Sequence, residues 1–324
     1  MNINYYKRIL TAYLINKKKG NLSFWHTKLK IGYRNNTSQL GGYYLDYTLK
    51  TKYPGPFDEK GVPMLNYFGD IGIQYNPDAI AQYALGYFEK YSENRDNAYK
   101  EIFLKQANWF VDNLRERDNG ISVWEYNFDF EYFKKLKKPW YTSLGQGHGI
   151  SVLVRAYLLT KKTIYLDTAK KAFLAFQYLT NVNGGVKYID EHGCVWFEEA
   201  IINPPTHILN GFIWALWGIY DYWLTTKDGI AKNLFDEGVK TLKKNLHKYD
   251  KGFWSTYDLA KTELPGIASW YYHNLHIAQL KIMHKLTNEK VFLEYAEKWE
   301  KYQKNFFFKI LALIYKVVFK VFYY

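Results

Sequence analysis

The sequence predicts a mainly α protein: an (α/α) barrel, or toroid, of about four helix pairs. β-hairpin loops gather at one end, and a short β-containing arm precedes the barrel. Three observations lead there. From residue 77 onward, apolar residues recur with helical spacing in segments that fall into four pairs. After the second helix of each of the first three pairs comes a polar turn with glycine and then alternating aromatics: DNGISVWEYNFDF (118–130), NGGVKYIDEHGCVWFEE (183–199) and DKGFWSTYDL (250–259). An internal repeat of helix, helix and β-loop is the pattern of a closed helical ring. Finally, 48% hydrophobic and 20% aromatic content is ample for one large core and argues against disorder.

The chain divides accordingly into an N-terminal arm with strands (1–76), a barrel (77–304) and a basic amphipathic tail (305–324). In the arm, Gly41 to Tyr47 and the Tyr53-Pro54-Gly55-Pro56 stretch read as strand and turn, packed on the barrel near its cleft. Pro77 suits a first helical position, with Ile80, Ala81, Ala84, Leu85 and Phe88 forming the buried stripe. Further helices are expected over about 95–116, 146–160, 164–179, 206–226, 229–247, 271–287 and 289–304. Gly120, Gly185 and Gly252 mark the three β-loops. Each loop follows the same helix of its pair, so all three emerge at one end. Glu125, Glu198, Glu199, Tyr257 and Asp258 are thereby expected at one mouth.

Lys and Arg exceed Asp and Glu, giving a net charge of +13. That charge suits an acidic partner: an anionic glycan or an anionic membrane surface. No nucleic-acid-binding signature accompanies it, and nucleic acid is not expected. The single Cys194 permits no intrachain disulfide and reads as a packing residue. The first twenty residues lack a signal-peptide apolar core and no segment is apolar enough to span a bilayer, so the expected location is cytoplasmic. The tail, NFFFKILALIYKVVFKVFYY, qualifies this. Lys309, Lys316 and Lys320 share one helical stripe in an otherwise apolar segment, as in a helix lying in the inner face of a membrane; the alternative is a last helix docked on the barrel.

The candidate chemistry sits in three segments. In WFEEAIINPPTHILNGFIWALWGIYDYW (196–223), Glu198 and Glu199 end an aromatic strand. Strand neighbours point to opposite faces, so one of the two meets the cleft. In SWYYHNLHIAQL (269–280), Trp270, Tyr271, Tyr272 and His273 begin a helix and so lie at the mouth. His273 and His276 have ligand spacing but no acidic or cysteine partner, so no metal is read there. In WYTSLGQGHGISVLVRAY (140–157), the glycines lack the ending of a phosphate loop. They read as close approaches of backbone to a ligand or another helix, with Tyr141, Gln146 and His148 as candidate polar contacts. No cofactor is implied.

These segments, in order, resemble the C-terminal domain of the D-glucuronyl C5-epimerases, which convert glucuronate to iduronate within heparan-type polymers. The resemblance runs through PWYTSLGQGHGISVLVRAYLLT, WFEEAIINPPTHILNGFIWALWGIYD, WSTYDL and SWYYHNLHIAQL, with NPDAIAQYALGYFEKY as the first barrel helix, over about residues 40–304. It implies an (α/α) barrel, an acidic polysaccharide substrate, and Glu199 and Tyr272 as the acid/base pair. It also implies a second tyrosine at Tyr257 and sugar contacts from Asn210 and Trp214. Three positions depart from the family: Ala200 replaces a tyrosine, Ala260 an arginine and Tyr271 an aspartate. The large β-domain of the animal enzymes is mostly missing. A homodimer is compatible with this reading. The alternatives are a polysaccharide lyase, a two-carboxylate glycoside hydrolase, and a membrane-tethered glycan-binding protein.

Overall fold

The computed structural model describes residues 24–32 and 40–323. The sequence-based expectation for the first twenty residues lies outside these. Four antiparallel helix pairs follow one another: α1 (Pro77–Asn94) with α2 (Asn97–Asp112), α3 (Ser143–Thr160) with α4 (Thr163–Phe173), α5 (Leu209–Thr226) with α6 (Gly229–Asn245), and α7 (Trp270–Thr287) with α8 (Lys290–Lys304). The first helix of each pair faces inward, α1 against α3, α3 against α5 and α5 against α7, and the second lies outside. A last helix, α9 (Phe306–Tyr323), follows α8.

Each pair is joined by the same two-residue turn. Arg95, Lys161, Lys227 and Asn288 take the left-handed conformation, at φ 57, 58, 59 and 60°. Each closes its helix by donating its backbone N–H to a carbonyl of the last turn. The next residue then starts the outer helix. Asp96 and Asp228 do so with side-chain caps.

α3 and α5 are buried on nearly every side, as central staves should be. They cross closely because both carry glycine at the contact. A Cβ on Gly218 would stand 2.3 Å from the Gly147 Cα, so no side chain fits either position. Further along the same helices Arg155 pairs with Asp221 at 2.6 Å, both 1% exposed. The bare pair would be costly to bury. It is completed by the arm: Arg155 also donates to the Gly41 and Gly42 carbonyls, and Tyr44 donates to Asp221 at 2.7 Å.

The arm therefore differs from expectation. Gly41 to Tyr47 forms no strand beyond one bridge between Ile31 and Leu45. Tyr43, Tyr44 and Tyr47 are buried within the ring instead, their rings against Trp217 and His148. Alternating tyrosines suited a half-buried strand, but here the whole segment is wrapped by inner helices. Among the described residues of the arm, β1 (Met64–Asn66) and β2 (Ile73–Tyr75) make the one hairpin of paired strands. Residues 24–26 bridge the gap between the first and last inner helices. Trp25 packs with Tyr53, Ala79 and Tyr83, while His26 stacks on Tyr271 at 4.3 Å.

The repeated loops are hairpin-like but short. β3 (Arg115–Glu116) pairs with β4 (Ser122–Val123), β5 (Phe130–Glu131) with β6 (Lys135–Leu136), and β7 (Lys187–Ile189) with β8 (Val195–Phe197). The third loop has only isolated bridges, Asp250 to Ser255 and Thr256 to Ile267. Gly120 and Gly252 take positive φ as turn glycines, but in the second loop Gly184, not Gly185, does so. Gly185 serves a close approach, with a Cβ there falling 2.2 Å from the Leu179 carbonyl oxygen. The outer helix expected to reach residue 179 ends at Phe173 and continues only as one tight turn, Leu174–Phe176.

Candidate active site

The N-terminal ends of the inner helices share one end of the ring, and the β-loops enter there. Together they enclose a cavity of about 350 Å³ lined by Asp78 of α1, Glu199 after β8, Asn210 and Trp214 of α5, Tyr257, and Tyr271 and Tyr272 of α7. That size suits a small polar ligand. An aromatic wall completes it: Tyr126 stacks on Trp140 at 4.0 Å, and Tyr67 lies 4.5 Å from Phe128. Such flat faces match the apolar faces of sugar rings.

Glu199 is placed by its neighbours on α5. Helices α1, α3 and α7 begin with side-chain caps from Asn76, Thr142 and Ser269, whereas α5 begins at Ile208 with none. Glu199 lies against that first turn. A Cβ on Gly211 would fall 2.0 Å from its Oε2, and Asn210 Nδ2 donates to the same oxygen at 3.5 Å. Burial, then the charges of Asp78, Glu198 and Asp258, push the Glu199 carboxyl up to about 8. The uncapped helix end favours the anion but does not offset these effects.

Tyr257 and Tyr272 meet with ring centroids 4.8 Å apart. Burial, and next the Glu199 charge, raise both phenols above their ordinary value, so both are protonated at neutral pH. Asn210 donates toward Glu199, while its Oδ1 has no partner among the described residues and can accept from a ligand hydroxyl. Behind it, Gln279 holds the Asn210 carbonyl at 3.0 Å.

The strand-parity argument separates the two glutamates. Glu198, 1% exposed, turns away from the cavity, accepts from the His207 backbone N–H at 3.1 Å and pairs with His207 Nδ1 at 2.5 Å. Its partner stacks on Trp196 at 4.2 Å. Glu198 borders a second cavity of about 460 Å³ with Leu179, Tyr188 and Ile202.

Several sequence candidates lie elsewhere. Gln146 is structural: its Oε1 accepts from Trp124 N, and its Nε2 donates to the Ser122 and Ala172 carbonyls. Tyr141 accepts from Gly184 N at 2.6 Å outside the cavity. His273 is fully buried on Trp254, with Nδ1 on Ser255 and Nε2 on Trp299 O. Burial lowers it to about 4, so it supplies no cation to Tyr272. The helix start that faces the mouth turns its next residue inward. Trp270 is 47% exposed on the outer side, under Lys309. His148 lies beneath the cavity and meets it through two of its lining residues, Asp78 at 3.1 Å and the Trp214 ring at 5.2 Å between centroids. Glu125 points away from the cavity and pairs with Arg117 at 2.9 Å. Asp258 is buried, accepts from Tyr132 at 2.8 Å and is pushed up to about 6 by burial.

Sequence reasoning missed Asp78, Tyr126 and Tyr132. Asp78 accepts from the Tyr126 hydroxyl on one oxygen and meets His148 on the other. The signal for Tyr126 was the alternation itself, because the residue after outward Glu125 must face in. Asp78 stood in the first turn of α1, where an acid reads equally well as a helix-dipole partner. Among the described residues, no three His, Cys, Asp or Glu side chains gather as a metal-ligand set.

The family described as D-glucuronyl C5-epimerase C-terminus matches residues 117–301. A D-glucuronyl C5-epimerase of Caenorhabditis elegans is 32% identical over 226 residues, covering 65% of this chain and 36% of the relative. An uncharacterized protein of Methanocaldococcus jannaschii is 31% identical over 269 residues, covering 76% of this chain and 86% of the other. The chain thus spans about a third of the worm enzyme and most of the archaeal protein. Among solved structures, cellobiose 2-epimerase from Spirochaeta thermophila superposes with a TM-score of 0.52 at 11% identity, over 92% of this chain and 85% of that one. At that identity the likeness concerns the fold.

Proposed function

This chain belongs to the D-glucuronyl C5-epimerase family, and from that premise we propose that it inverts C5 of D-glucuronate residues, giving L-iduronate, within an acidic polysaccharide. The supporting observation is the convergence of Glu199, Tyr257 and Tyr272 on one cavity with Asn210 and Trp214. Ionised Glu199 takes the C5 proton. The electron pair passes into the adjacent carboxylate as an enediolate, which the hydroxyl of Tyr257 and the amide of Asn210 meet with hydrogen bonds. Tyr272 returns a proton to C5 from the opposite face. The resulting phenolate, strongly basic in this burial, recovers a proton by way of Tyr257 and solvent, and Glu199 releases its own.

A carboxylate pushed to about 8 is a stronger base than an ordinary one, yet still ionises near neutral pH. Phenols held protonated are acids in waiting. A lyase would share the first step but expel the C4 oxygen. The test is incubation with glucuronate polymers in D2O. Iduronate signals in the NMR spectrum without chain shortening support epimerisation. Chain shortening with an unsaturated, ultraviolet-absorbing uronate would replace it with elimination.

A further inference from the structure

α9 has two faces of different character. Along one, Phe308, Ala312, Tyr315 and Phe319 pack on the barrel, with Phe253 against Tyr315. This face clamps the loop that follows Tyr257 and Asp258: Tyr323 OH accepts from Leu264 N at 3.2 Å, and Lys316 Nζ donates to the Ile267 carbonyl at 2.5 Å. A Cβ on Gly266 would meet the Phe319 ring at 3.3 Å. The opposite half of the circumference is solvent-facing, and its described side chains are all apolar. Phe307 is 78% exposed, Ile314 55%, Val321 57% and Phe322 72%. An 18-residue helix is about 27 Å long, so this is a continuous apolar strip and not scattered surface residues.

We propose that this strip is a docking surface for the headgroup region of an anionic lipid bilayer, with α9 lying in the plane of the membrane. Three observations select lipid over a protein partner. Among the described side chains the exposed arc holds only Phe, Ile, Leu and Val; these offer none of the polar side-chain contacts that give a protein interface its register. Lys309 stands at one boundary between the docked and exposed arcs, where its ammonium group can reach headgroups while its stem stays on apolar surface. Exposed Trp270 lies at that same boundary under Lys309, 5.2 Å from its ring. Tryptophan favours this interfacial depth. Residues 305–324 contain no acidic side chain and the chain carries +13, so the attraction is to anionic lipid. No described helix is long and apolar enough to cross a membrane, which leaves the in-plane mode. Because the docked face holds the loop beside Tyr257, membrane binding would set the cavity mouth close to the bilayer surface.

The test is co-sedimentation of the whole protein with vesicles of phosphatidylglycerol and phosphatidylcholine, against vesicles of phosphatidylcholine alone. The comparison variant is Phe307→Ser, Ile314→Ser, Val321→Ser, which changes only exposed positions; a parent-like circular dichroism spectrum checks its fold. The expected result is salt-sensitive binding to the anionic vesicles, weakened about tenfold or more in the variant. Absence of binding by the parent, or equal binding by the variant, overturns the proposal. So does a parent that ignores vesicles and forms a dimer that the variant abolishes, since the strip would then cover a second copy. Turnover of a soluble oligosaccharide is indifferent to all three substitutions, which separates this inference from the proposed reaction.

Discussion

The Glu199 carboxyl rests on the bare Cα of Gly211: a Cβ there would come within 2.0 Å of Oε2. Glycine at this position is therefore a condition for the carboxyl to occupy the uncapped start of α5, beside Asn210. Gly211→Ala should displace the Glu199 carboxyl by about 1 Å and lower kcat by roughly 100-fold, with little change in helical circular dichroism. Steady-state kinetics alongside spectra would check this. Retention of full activity would mean that the observed seat of Glu199 is not the working one.

The pH profile should carry the signature of Glu199. Acting as base, it must be ionised, and its carboxyl is pushed up to about 8. Activity should rise with pH through that value, and the raised phenols of Tyr257 and Tyr272 place no falling limb nearby. The stability consequence has a definite sign. Between the usual 4.5 and about 8 the folded chain keeps a proton that the unfolded chain releases. Stability from this group is thus complete below that window and is lost as pH rises through it. Glu199→Gln should abolish turnover yet raise Tm relative to the parent, by a margin that grows across the same window.

Asp78 offers a way to move that profile. After burial, its charge is the largest influence raising Glu199. Asp78→Asn should shift the rising limb of kcat/KM to lower pH, measured over a buffer series at constant ionic strength. An unmoved limb would assign the limb to another group.

Tyr272→Phe removes only the hydroxyl from a site where the ring already packs on Tyr257 and His26. The expected loss in kcat is about 100- to 10,000-fold, with KM within a few-fold of the parent. Tyr257→Phe should have the smaller effect, because its hydroxyl is proposed to stabilise charge and not to transfer the C5 proton. Both are read by an iduronate assay on a defined oligosaccharide.

The helix pairs were legible because outer helices such as α2 and α6 show one buried side at helical spacing, inner α3 and α5 are long apolar runs, and the matching turns after Asn94, Thr160, Thr226 and Thr287 separate them. Glycine clustering at 145–149 announced close approaches to a ligand or another helix, and the neighbours are α5 at Gly147 and the Trp124 ring at Gly149. The arm was misread because alternation of Gly41 to Tyr47 cannot tell a sheet edge from a segment swallowed by helices. Gln146, His148 and His273 look like site residues in a motif; one turn of a central helix carries groups toward both the cavity and the core, and only packing decides which. Asp78 was invisible for a related reason, since its role depends on Tyr126 and His148, which come 48 and 70 residues later.

The α3–α5 crossing gives a test of the fold itself. Gly218→Ala places a methyl 2.3 Å from the Gly147 Cα and must part the helices. Chemical denaturation should show a loss of about 1–3 kcal/mol. An unchanged midpoint would contradict the crossing.

The central claim is reversible proton exchange at C5 of a polymer-bound glucuronate. Its most direct measurement is NMR of glucuronate-containing polysaccharide incubated with the protein in D2O. The predicted result is deuterium at C5 in newly formed iduronate and in the recovered glucuronate, absent with Glu199→Gln. Unlabelled C5 positions across polymers of differing N-substitution, with the protein folded, would contradict it.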